Sequence, residues 1–171
     1  MNAAKSILFA ISALILGGCA GPSVSMSSRI DGQIPAGKIG LAPGGGVLAD
    51  AIGVELFQRG FDTVDSVDIG SAVGNDNMNE FSFTSPVTLK ELSNQGIDTL
   101  LIVKSAGAYD GLPEAASVRI VQTKTGQTIA AINWQNGYGG RQGSIADRTM
   151  REGLVAAAKQ IVDQLSLKLS K

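Results

Sequence analysis

Cys19 is the only thiol in a chain of 171 residues that has no histidine. A thiol of this kind acts as a nucleophile once deprotonated and can take thioether or acyl groups. With no second cysteine there is no internal disulfide. With no histidine the chain lacks the commonest general base and the commonest metal ligand. Ser71, Ser82 and Ser144 therefore have no imidazole to activate them, and no Ser-x-x-Lys arrangement takes its place. Asp62, Asp65 and Asp68 recur every three residues, but a solvated strand edge explains them better than a hard-cation site. Gly44-Gly45-Gly46-Val47-Leu48-Ala49 matches the G-x-G-x-x-A pattern, and Asp65 follows at about the 20-residue spacing of a ribose-binding acid. The third strand leads into a hairpin rather than another crossover, so the pattern reads as a glycine-rich turn. The expectation is a non-enzymatic chain with no cofactor, no metal and no small-molecule substrate.

The residues before Cys19 give its thiol a setting. Met1 to Ser6 carry one charge, Lys5, and Ile7 to Leu16 form an apolar run. A permanent membrane helix needs about 20 such residues, so this shorter run suits the core of a secretory signal. Leu16-Gly17-Gly18-Cys19 resembles the lipobox of bacterial lipoproteins, in which small residues let the extended chain lie in a peptidase groove. The resemblance implies that residues 1–18 are a signal peptide, with Leu16, Gly17 and Gly18 recognised by the peptidase. It implies that Cys19 then carries covalent diacylglycerol and an N-acyl chain. Several acyl chains anchor stably where one alone binds marginally. Ala20 stands where an Asp would suggest inner-membrane retention, so the expected location is the outer membrane, facing the periplasm.

Removing the first 18 of 171 residues leaves 153, enough for one domain with a real core. Losing Lys5 leaves 13 basic and 15 acidic residues, a net charge of −2 without basic runs. That balance argues against a nucleic-acid partner. Aromatic residues make up 5% of the chain and glycine is abundant, which suits a small α/β domain better than a carbohydrate-binding sandwich.

The elements that must position any site follow from period and punctuation. Residues 20–37 are small, polar and broken by Gly and Pro, and read as a short tether with extended pieces, spanning roughly 24 Å if flexible. Lys38 to Ala42 reads as a strand. Leu48, Ile52 and Leu56 place a helix over Val47 to Arg59, stopped by Gly60. Phe61 to Asp68 alternates as a strand, and Ile69 to Ser85 reads as a long polar loop. Ser85 and Pro86 open a helix that ends at Gly96. The apolar run Asp98 to Lys104 suits a central strand, and Ala115 to Gln122 with Thr128 to Trp134 forms a hairpin. Asn136 to Gly143 is expected to be a mobile glycine-rich loop. Met150, Leu154, Ala157, Ile161 and Leu165 place one long helix over Ile145 to Leu169. The order is β-α-β-α-β-β-β-α, an α/β (α+β) domain over residues 38–171 with a mixed sheet of about five strands packed by helices.

Contact surfaces fall in two places. Phe81 and Phe83 stand two apart in a long connection, where they either meet a partner or tuck under the domain. Tyr138 and Arg141 flank the glycine-rich loop, and such side chains favour interface centres. Trp134, at a strand end, reads as core.

In this order the pieces resemble the curli-secretion lipoprotein superfamily, whose fold is shared with penicillin-binding-protein activator lipoproteins and the TolB N-terminal domain. The resemblance spans residues 38–169. It rests on Lys38 to Ala42, on Leu56-Phe57-Gln58-Arg59-Gly60-Phe61, on Gly96 to Ile102, and on Ser117 to Val121 with Thr125-Gly126. None is a catalytic motif. The resemblance implies a lipid-anchored accessory or assembly module of an envelope export or surface-structure system, self-associating or bound to a protein partner. The alternative is a monomeric regulator of a peptidoglycan synthase or other envelope enzyme. No spare pair of long strands is present for a membrane barrel.

Overall fold

The computed structural model describes residues 20–74, 80–107 and 111–170. The lipobox residues Leu16, Gly17, Gly18 and Cys19 lie outside them. A mixed sheet takes the order β1-β7-β6-β5-β3-β4, built from β1 (Ser23–Ser28), β3 (Ile39–Leu41), β4 (Thr63–Val64), β5 (Thr99–Gly107), β6 (Pro113–Gln122) and β7 (Thr128–Gln135). β3, β4 and β5 run parallel, whereas β5, β6, β7 and β1 are antiparallel neighbours. A small parallel pair joins β2 (Ile34–Pro35) to β8 (Leu169–Ser170). The fold is the expected mixed sheet packed by helices, with one strand more in the main sheet.

That extra strand comes from the presumed tether. Ser23 to Ser28 pair along β7 from Gln135 to Ala130, with Val24 and Met26 half-buried against the core and Ser23, Ser25 and Ser27 exposed on the other side. The segment is short and polar by composition, yet its period of two matches a strand covered on one face. Its partner lies more than a hundred residues away, so nothing local announces it.

Helix α1 (Gly46–Gln58) buries Leu48, Ala49, Ile52, Gly53 and Leu56. It starts at Gly45, where an added Cβ would stand 2.5 Å from Ala49 Cβ and 3.1 Å from Val103 Cβ. It ends at Gly60, whose φ of 80° reverses the chain while Phe61 N–H bonds Leu56 C=O. The strand expected over Phe61 to Asp68 is cut to two residues because Asp65 accepts from Val67 and Asp68 N–H groups and caps helix α2 (Ser66–Ala72). The long polar connection likewise holds a helical turn, α3 (Glu80–Phe83). Helix α4 (Pro86–Asn94) begins as the sequence indicates, with Ser85 Oγ accepting from Thr88 N–H and Pro86 in the first turn.

The last helix is two helices, α5 (Ile145–Met150) and α6 (Leu154–Lys168). The cause is tertiary. Asn136 Oδ1 accepts from Glu152 N–H at 2.7 Å, and Asn136 Nδ2 donates to Glu152 C=O at 3.0 Å. This two-point clasp holds Glu152 out of the helix, Arg151 turns extended (φ −90°, ψ 137°), and Gly153 opens α6.

Two cores flank the sheet. On one face α1 and α6 enclose Ile39, Leu101, Val118, Ile120, Ile132 and Trp134 with Ile52, Ile161 and Leu165. On the other, α2, α3 and α4 cover Leu100, Ile102 and Val121 with Ile69, Phe83, Leu89 and Leu92. Burial of such apolar area at roughly 25 cal/mol per Å² is the main driving force for this arrangement.

Candidate functional site

Three surfaces among the described residues offer contacts. The first is the corner where the described chain begins. Ala20 N–H donates to Tyr138 C=O at 2.8 Å, and Tyr138 N–H donates to Ala20 C=O at 2.7 Å. The glycine-rich segment beside them is bonded down instead of loose. Asn136 also donates to Pro113 C=O at 2.6 Å and accepts from Gly137 N–H, so both ends of its amide are satisfied. A Cβ on Gly137 would collide with Met150 C=O, and one on Gly139 with the backbone of Ala146, so glycine lets these chains touch. Buried Asp147 accepts from Gly143 N–H, and Ser144 caps α5. Out of this corner stand Tyr138 (58% exposed), Ile145 (85% exposed), Arg141 and Arg148.

The second surface is a groove between α1 and α2. Val54, Phe57 (71% exposed) and Val67 (73% exposed) line it, with Asp50, Asp65 and Asp68 around them. Exposed apolar side chains grouped inside a polar rim mark contact surfaces. These residues are inconspicuous in the sequence because Leu48, Ile52 and Leu56 already account for the helix. Val47, Val54 and Phe57, spaced seven and three apart on the opposite stripe, are the signal that finds them.

The third is the outer face of the antiparallel half-sheet. Ser25, Asn133, Ser117 and Lys104 stand in register across β1, β7, β6 and β5 with none of the described helices over them. β1 closes that side of the sheet as an edge of six residues, without charge or proline. Such an edge can accept another strand.

The other sequence-derived sites divide. Phe83 is 1% exposed inside the second core, so it tucks under the domain and is no surface residue. Phe81 belongs to α3. Tyr138 and Arg141 are exposed together at the corner beside Ala20. Trp134 is core, 1% exposed, and its Nε1 donates to Gln160 Oε1 at 2.8 Å. Asp62, Asp65 and Asp68 form no grouping able to hold a metal among the described residues. Asp65 is spent as a helix cap, and Asp62 faces Lys38 at 3.8 Å. The Gly44–Ala49 turn sits between a strand and a helix as the sequence suggested, while Asp65 turns its carboxylate to the α2 backbone.

No family model matches the sequence, and no curated protein matches it. Among solved structures, the fold is similar to PelC from Paraburkholderia phytofirmans, determined as a dodecamer. A variant of that protein superposes with a TM-score of 0.51 at 11% identity, covering 86% of this chain and 99% of PelC. Lipoprotein GNA1162 from Neisseria meningitidis gives 0.48 at 15% identity over 77% of this chain and 97% of its own. TolB from Acinetobacter baumannii gives 0.42 at 12% identity over 85% of this chain and 30% of its own. The chain thus has a mixed α/β fold similar to PelC. No described helix is long and apolar enough to cross a membrane.

Proposed function

We propose that this chain is a lipid-anchored periplasmic module that assembles with copies of itself as an accessory of an envelope export or surface-structure system. The observation that carries the proposal is a pair of surfaces at opposite edges of one sheet that no described helix or strand covers. The apolar groove of α1 and α2 flanks the β4 edge, while the bare strand β1 and the open sheet face lie at the other. Two different patches on opposite sides are what a head-to-tail assembly requires, and such interfaces close into rings when the rotation allows. The dodecameric state of PelC, whose fold is similar, fits the same reading by analogy. So does the expected signal peptide of residues 1–18, with Cys19 as the lipidated residue at the outer membrane. The fastening of Ala20 to Tyr138 shortens the free tether and favours a membrane-hugging protein over one that reaches through the cell wall.

Light scattering on the full lipidated chain in detergent, across a concentration series, tests the assembly. A discrete multi-subunit species is expected, reduced to monomer by Phe57→Asp. A monomer at every concentration overturns it and leaves the regulator reading.

A further inference from the structure

The structure points to a membrane-docking face, and this inference rests on the lipid-anchor reading above. We propose that the corner bearing Tyr138, Arg141, Ile145 and Arg148 lies against the phospholipid headgroups of the membrane that holds the acyl chains. The occupant is fixed by where the described chain begins. Ala20 is tied to Tyr138 by two backbone hydrogen bonds of 2.8 and 2.7 Å. Consecutive Cα atoms are about 3.8 Å apart, so a lipidated Cys19 would hold the Ala20–Tyr138 pair within a residue's reach of the lipid attachment point. Tyr138 therefore sits next to the lipid attachment point, and its neighbours come with it. Gly137 abuts Met150, and Gly139 abuts Ala146, which places α5 at the same corner.

The exposed side chains suit that surface. Tyr138 presents a ring with a polar tip, the type of side chain found at headgroup level. Ile145, at the first position of α5, offers an apolar group with 85% of its surface open. Arg141 and Arg148 supply cations, with the Arg148 guanidinium also donating to Gly143 C=O at 3.1 Å, and such charges are drawn to anionic headgroups. Glu114 is an exposed carboxylate near this end, set back beside Asn136. The opposite end of the sheet carries the β6–β7 turn with exposed Lys124 and Thr125. β7 separates the two ends by roughly 25 Å at about 3.4 Å per residue. In this orientation the sheet strands stand up from the bilayer, and the groove of α1 and α2 and the β1 edge face sideways, free to meet neighbouring copies.

Lipidation consumes the only native thiol, so a substituted cysteine carries a single label. Ile145→Cys and Lys124→Cys, each with an environment-sensitive fluorophore, are to be produced as the lipidated full chain in phosphatidylethanolamine–phosphatidylglycerol vesicles. Lipids with a quencher on the acyl chain then read proximity. The expected result is strong quenching and a blue shift at position 145, with water-like, unquenched emission at 124. Water-like emission at both positions on protein that sediments with the vesicles overturns the docking face and leaves the anchor standing. Equal quenching at both overturns the orientation. Protein that stays in the supernatant overturns the anchor, and the docking face with it.

Discussion

Two halves of the same sheet solve burial differently. In the parallel half, Ile39-Gly40-Leu41 of β3 and Thr99 to Val103 of β5 are buried without interruption, because helices lie on both faces. Gly40 leaves space there for Ile69 of α2, whose Cδ1 would stand 2.7 Å from an added Cβ. In the antiparallel half, burial alternates. Ile132 and Trp134 of β7 enter the α6-side core, while Asn133 and Gln135 between and after them face solvent. β5 loses its cover at Lys104, and Lys104 to Gly107 are exposed on both faces. Continuous apolar runs thus report two-sided cover and alternating ones report a face left open. The open face is where this chain has surface to offer.

The largest effect should come from the inner row. Trp134→Ala removes a fully buried ring and its bond to Gln160, and should lower unfolding free energy by about 3–5 kcal/mol in a denaturant titration. Just beyond that row, Asn136→Ala strands the Glu152 and Gly137 N–H groups and two carbonyls. A loss of about 1–3 kcal/mol is expected, with faster hydrogen exchange at Glu152 as its specific sign. Gly137→Ala should cost about 1–3 kcal/mol through its collision with Met150, and rapid exchange at Tyr138 would show the corner opening. On the outer row, Asn133→Ala should change stability by no more than about 0.5 kcal/mol. If Asn133→Ala were as damaging as Trp134→Ala in a dilute monomer, the two-face distinction would fail.

Legibility followed distance along the chain. Helix α4 was readable because its start depends on Ser85 and Pro86 themselves, and the β6–β7 hairpin because Gly126, with φ of 69°, and the flanking alternation are adjacent. The surface residues were less readable. Phe83 carries the same composition signal whether it binds a partner or fills a core, and only the packing of α3 against Leu89, Leu92 and Ile102 decides. Val54 and Phe57 were masked by the stronger buried stripe on their own helix.

Taken alone, the sequence determined the α/β class, the central strand, the hairpin and the limits of α4, since each rests on local hydrophobic period or on a side chain bonding its own backbone. Tertiary structure decided three things. Ser23 to Ser28 became an edge strand because β7 had hydrogen-bonding groups to satisfy. The C-terminal helix broke at Glu152 because Asn136, 16 residues earlier, captures that residue's N–H and C=O. And the start of the described chain was fixed beside Tyr138 by a backbone pair closed over 118 positions, a pairing that composition and periodicity do not encode.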